Sequence, residues 1–255
     1  LYNKRREIVR SVLLTQVEWE IQQTLGDQER LYDIHDLAHR SKEIRNDLAP
    51  EVLALAEKHE PGTAETLQYV QRFILDSDLS DEEIAKIAKA RCQAKPATKF
   101  LAHWLSIWVS TEPEPAIKFL KAHLKKLKKV KATEFAMHFI GFLLGRHRSL
   151  GAQRERFKEP DHLKTLFLLM HEHIRQEEDI NRAGGGAYSP GPRDDAQDGR
   201  NELFSIINQQ PGKEAFLALK EISELHPNAG SRAWSSTLMR NRAAADADIS
   251  AWSID

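Results

Sequence analysis

Apolar residues recur at three- and four-residue intervals almost from one end of this chain to the other. No clean run of alternating β-branched residues interrupts them. That periodicity is the strongest constraint on the fold, because a pattern with a period near 3.6 cannot present one apolar face as a strand. The reading is all-α, with no sheet. In residues 1–24, Ile8, Val9, Val12, Leu13 and Val17 read as one apolar stripe among charges. Residues 28–46 carry Leu31, Ile34, Leu37 and Ile44 roughly in step. VLALAEKH follows Pro50, EPGT breaks the chain, and AETLQYVQRFIL resumes it.

The sharpest start signal is SDEE. Ser80 and Glu83 stand three apart, as a capping box requires, and Leu79 can staple onto Ile84. ATKFLAHWLSIWVS then puts Leu101, Trp104, Leu105 and Trp108 on one face, which reads as core. TEPEP stops and restarts the chain, since proline suits a first turn but not a helix interior. Helix pairs are therefore expected to begin near Pro50, Ser80 and Pro115, a spacing of roughly 30–35 residues, as in helix–turn–helix repeats. The expected architecture is an α-solenoid-like array of antiparallel helix pairs, HEAT- or TPR-like. Residues 1–180 form an N-terminal array, 181–199 a Gly/Pro-rich connection, and 200–255 a C-terminal helical block.

Composition narrows the function classes. With 29% charged residues and a net charge of −1, much of the surface is solvated and no global field favours nucleic acid or a membrane. Cys92 is the single cysteine, so no intrachain disulfide can form, which fits a reducing cytoplasm. The longest apolar run, Phe135–Leu144, is far short of a membrane span. The chain begins without a methionine, lacks a signal-peptide pattern and reads as a fragment of a longer protein.

Several stretches invite a chemical reading. GGGAYSPGPRDDAQDGR, residues 184–200, has the glycines of a phosphate loop but not the spacing: no Lys-Ser/Thr pair follows and no strand precedes. A dinucleotide fingerprint fails for the same reason. No cofactor is expected. The favoured reading is an interhelix joint, with Arg193 and Arg200 two turns apart if Pro192 opens a helix, available for ion pairs. HDLAH puts His35 and His39 four apart, as in zinc helices, with Asp36 where the general base would stand; further ligands are not identified. A metal-dependent hydrolase on this pair is one alternative function, and a plain surface or interhelix pair is the favoured reading. His171 and His173 fall on different helix faces, a poor chelate. Cys92 reads as inert. KFLKAHLKKLKKVK carries seven lysines between Lys118 and Lys131. Ile117, Leu120, Leu124 and Leu127 read as its buried stripe, with Lys118, Lys121, Lys125, Lys128, Lys129 and Lys131 available for phosphate contact. A nucleic-acid-binding array on this face is the other alternative, sequence-blind and salt-sensitive; a merely solvated face is favoured.

From Tyr188 onward, YSPGPRDDAQDGRN, the helix PGKEAFLAL and the ending RAAADADISAW resemble the C-terminal helical-repeat region of large bacterial NACHT/STAND-type NTPases. The resemblance covers about the last seventy residues and carries no catalytic motif. It implies a P-loop core elsewhere in a modular parent, cytoplasmic and in several cases linked to antiviral defence. This stretch would then be a non-catalytic sensor, scaffold or interaction module. Its partner would be a protein or an adjacent domain of the same chain.

Overall fold

The structure, a computed structural model, describes residues 4–23, 32–39, 42–144, 154–182 and 186–252; for Tyr32 and residues 242–252 the description is of the backbone. It is all-α, and no described residue lies in a strand. Twelve helices follow one another: α1 Arg6–Gln22, α2 Tyr32–His39, α3 Lys42–Lys58, α4 Ala64–Leu75, α5 Asp81–Gln93, α6 Thr98–Thr111, α7 Pro113–Lys126, α8 Lys129–Leu144, α9 Pro160–His173, α10 Pro192–Gln209, α11 Lys213–Leu225 and α12 Ala229–Trp252. Contacts are serial. Helices α1 and α3 touch, as do α2 and α4, α3 and α5, α4 and α6, α6 and α8, α7 and α9, α8 and α10, and α9 and α11. Neighbours in sequence supply most of the rest, most extensively α5 with α6, α9 with α10, and α11 with α12, while α1 also reaches α4 and α6 meets the short turn at Arg156–Lys158.

Helix α6 is the centre of the fold. Every residue from Leu101 to Thr111 is buried, as a helix apolar nearly all round must be. Trp104 and Trp108 are therefore core, as their spacing predicts, and each satisfies its indole N–H. Trp104 donates to Glu60 at 3.0 Å and Trp108 to Glu112 at 2.8 Å. Ser106, Ser110 and Thr111 return their hydroxyls to α6's own carbonyls, so no hydroxyl of theirs is stranded in the core.

The helix ends follow their local chemistry. The Ser80 hydroxyl accepts the Glu83 amide at 3.2 Å, and the Glu83 carboxylate accepts the Ser80 amide at 3.0 Å, completing the expected capping box of α5. Leu79 is half-buried and Ile84 fully buried. Helix α2 has eight residues, too few to persist alone. A side chain from another helix supports it. The buried Glu20 of α1 accepts the amides of Asp33 and Ile34 at 3.1 and 2.7 Å. Burial pushes the Glu20 carboxyl above its usual range, and those two amides pull it back.

Two expectations are corrected. Pro50 does not open a helix; it lies inside α3. It has no amide to offer the carbonyl one turn back, but it is exposed, where water can serve that carbonyl. The α1 stripe is also misdrawn. Ile8 and Val12 are 61% and 63% exposed, whereas Val17, Glu20 and Ile21 form the buried face. Among the described residues α1 packs on α2, α3 and α4, which cover Val17, Glu20 and Ile21 and leave Ile8 and Val12 in water.

Helix α10 starts at Pro192, inside the stretch read as a connection, and docks on α8 and α9. A small residue makes this approach close. A Cβ built on Gly199 would lie 2.9 Å from Ile140 Cγ1 and 3.3 Å from the Ile140 carbonyl oxygen. The carbonyl belongs to a helix backbone and cannot yield freely. Gly199→Ala is expected to destabilise the fold by about 1–3 kcal/mol despite alanine's better helix propensity. Urea unfolding checks this; unchanged or raised stability would show that α8 and α10 separate without cost.

Candidate functional site

The lysine face is built from the end of α7 and the start of α8. Ala116, Ile117, Leu120 and Leu124 are buried against the rest of the fold. That register turns Lys118, Lys121 and Lys125 outward on one side of α7, and Lys128, Lys129 and Lys131 continue round the turn into α8, all exposed. All six, and Lys126 with them, are exposed along α7 and across the turn into α8. Two of the six are neutralised locally: Lys118 donates to Glu114 and Lys131 to Glu134, each at 2.8 Å. Among the described residues, Lys121, Lys125, Lys126, Lys128 and Lys129 have no carboxylate within ion-pairing distance. Lys121 acts on Asp161 at longer range, and exposed lysines that lack an ion pair would gain from an anionic partner.

The other sequence candidates resolve into structural roles. His35 and His39 do share a face of α2, with rings 4.4 Å apart. However, His39 Nδ1 is hydrogen-bonded to the His35 carbonyl at 2.8 Å, and both rings lie edge-on to Tyr69. No group of three or more metal-ligating side chains occurs among the described residues. Cys92 is buried, and burial pushes its thiol far above the usual range, which removes the thiolate that nucleophilic chemistry needs. His171 is buried and His173 half-buried, as faces 200° apart require.

The stretch 184–200 becomes an ion-paired joint. Of its Gly-rich start, residues 184 and 185 lie outside the described residues. Arg182 spans it, stacking its guanidinium 4.2 Å over Tyr188 and gripping the Asp194 carboxylate through two nitrogens at 3.2 Å. Asp194 in turn accepts the Gly191 amide at 2.8 Å, so its own carboxylate occupies the positive end of α10. Arg182 and then that amide hold the Asp194 carboxyl below its usual range. Arg193 and Arg200 converge on Asp179. Arg193 reaches it at 3.1 Å; Arg200, only 1% exposed, pairs with it and donates to the Ile174 carbonyl at 2.7 Å.

Sequence reasoning missed the histidines around this joint and in the core. His171 and His226 sit 4.2 Å apart, edge to face, against Phe167. His226 Nδ1 faces the Asn228 backbone, 3.0 Å from its amide nitrogen and 3.3 Å from its carbonyl oxygen. Burial, with Arg200 and His226 adding, pushes His171 down to about 2. His103 in α6 is stacked on Phe142 at 4.1 Å, pairs with Gln71, and is pushed down to about 3 by burial. An isolated histidine in a helix carries no mark of burial, so the signal lay only in the fully apolar surroundings of His103.

No helix among the described residues is long and apolar enough to cross a membrane. No family model matches the chain, and no curated protein or solved structure is a match to it.

Proposed function

We propose that this chain is a non-catalytic helical-repeat interaction module: a solenoid-like array of helix pairs that binds a protein partner or an adjacent domain and passes the state of that surface along its stacked helices. The observation that carries the reading is the serial contact pattern, in which helices touch neighbours one and two along. Such a pattern leaves long outer faces open on both layers, the geometry repeat arrays use for recognition. The polar networks support it as well. The arginines of the joint and the buried histidines are engaged in holding helices together rather than gathered round an open cleft.

The resemblance of residues 188–252 to the C-terminal repeats of STAND-type NTPases extends this reading. The array would act as sensor or scaffold within a larger bacterial, cytoplasmic defence protein whose NTPase lies outside this chain. Cross-linking mass spectrometry in the source cells, followed by reciprocal purification, tests it. A stoichiometric protein partner, or a parent chain with a P-loop domain cross-linked to this array, is the expected result. Turnover of a substrate by the purified chain, or the absence of any stoichiometric partner, would overturn it.

One observation favours a second reading, binding of nucleic acid: the five lysines of α7 and α8 that lack an ion pair among the described residues. Retention of a short DNA duplex at low salt, with affinity falling steeply as salt rises and lost on charge reversal at Lys125, Lys128 and Lys129, would support that reading over the first.

A further inference from the structure

The basic side of α7 borders a groove that no motif marks. It lies over α9, between α7 and the turn from α11 to α12, and encloses about 490 Å³. Its floor is apolar: Leu168 and Leu169 of α9, with Leu225 and Pro227 from the turn. Leu225 is 63% exposed, a large apolar side chain left in water beside other leucines. Lys121 lines the α7 edge, and Lys125 follows one helical turn on. Neither forms an ion pair among the described residues, although Asp161 at the start of α9 acts on Lys121 at longer range. Glu172 lines the far end of α9 and is the sole carboxylate among the lining residues. Lys164, also a lining residue, bridges Asp161 of its own helix and Glu221 of α11, each at 2.6 Å, and so ties α9 to α11. From Thr165 to Glu172 the groove follows α9 for about 10 Å, two turns of a helix.

Resting on the interaction reading above, we propose that this groove receives an amphipathic helix of a partner protein, with apolar residues at i, i+4 and i+7 laid on the leucine floor and an acidic flank against α7. Charge complementarity selects the partner. A basic helix would be repelled by Lys121 and Lys125, whereas acidic side chains there replace water around two exposed ammonium groups. Glu172 sets polarity, favouring a basic or neutral residue at the opposite end. A polynucleotide would use the lysines but gain nothing from Leu225, and that difference separates the two partner classes. Helix-in-groove docking of this kind needs a few anchors rather than a large area.

Selection of a displayed library of amphipathic helices against the full chain tests the proposal. The expected binders share an apolar ridge and an acidic flank. They lose about tenfold or more in affinity against Leu225→Glu and, separately, against the K121E/K125E pair. All three positions are exposed, so both variants are expected to melt where the parent chain melts, which keeps lost binding distinct from lost folding. Binders that lack an acidic flank, or that hold both variants as tightly as the parent, would overturn the proposal. So would a DNA duplex whose binding needs the lysines and ignores Leu225. A host partner cross-linked to another face would remove the groove but leave the interaction reading intact. Library binders meeting these criteria without any host partner would do the reverse.

Discussion

Asp179→Ala is expected to cost about 3–5 kcal/mol of unfolding free energy, more than its modest burial suggests. The reason lies in what it leaves behind. Asp179 is the carboxylate partner of Arg200, whose side chain is 1% exposed, and an uncompensated guanidinium would remain in the interior. Arg200→Met is expected to cost less, about 1.5–3 kcal/mol, because Asp179 is 23% exposed and keeps Arg193 as a donor at 3.1 Å. The asymmetry gives a sharper outcome. Adding R200M to D179A is expected to restore stability, since removing both charges avoids the desolvated cation altogether. Urea unfolding of the two single variants and the double variant decides it. Strictly additive losses would show that the pair does not organise the joint between α9 and α10.

Acid is expected to begin weakening this protein at about pH 6.5, before its carboxylates titrate. His103 and His171 are held neutral in the folded state, at about 3 and about 2, against about 6.5 when unfolded. A depressed histidine favours the folded state fully above the unfolded value and loses that advantage as pH falls, because only the unfolded chain takes up the proton. Each contributes a loss of about 1.4 kcal/mol per pH unit below about 6.5, so the two together remove about 5 kcal/mol by about pH 4.5. Half-buried His123, His138 and His173 and buried His226 are lowered too, in the same direction. Unfolding midpoints measured from neutral pH downward check the slope. His171→Leu, packed on Phe167, is expected to remove about half of the slope that His103 and His171 supply. A flat profile would mean that these rings take up protons without leaving the fold.

Much of the architecture was legible because it is written locally. The capping box at Ser80, the proline-started helices α7 and α10, and the tryptophan face of α6 each depend on residues within about one or two turns. Packing between helices is not local, and there the reading failed. Nothing in α1 says which of its faces α2, α3 and α4 will cover, so Ile8 and Val12 looked like core. Pro50 looked like a start because its exposure, which makes it tolerable inside α3, depends on how α3 packs. The lysine face was legible as a run, but which lysines remain without an ion pair depends on Glu114 and Glu134 finding theirs. Arg200 was legible as a partner for Arg193 along α10, not as a buried group. Its counterion lies twenty-one residues back, in a segment with no sequence signal of its own. The groove over α9 was invisible for a similar reason, since α7, α9 and the α11–α12 turn line it together.

The habit of each helix to touch neighbours one and two along also sets an order of events at the ribosome. A nascent helix needs partners that have, for the most part, already emerged, so structure can accumulate vectorially from the N-terminus with short loop closures. One clasp reaches further back. Arg154 donates to the carbonyls of Ser77 and Leu79, each at 2.8 Å, across seventy-seven and seventy-five residues. In a chain assembling in this way, that arginine fastens the start of α5 only after α8 has left the exit tunnel. The start of α5 is therefore fastened only once Arg154 has emerged.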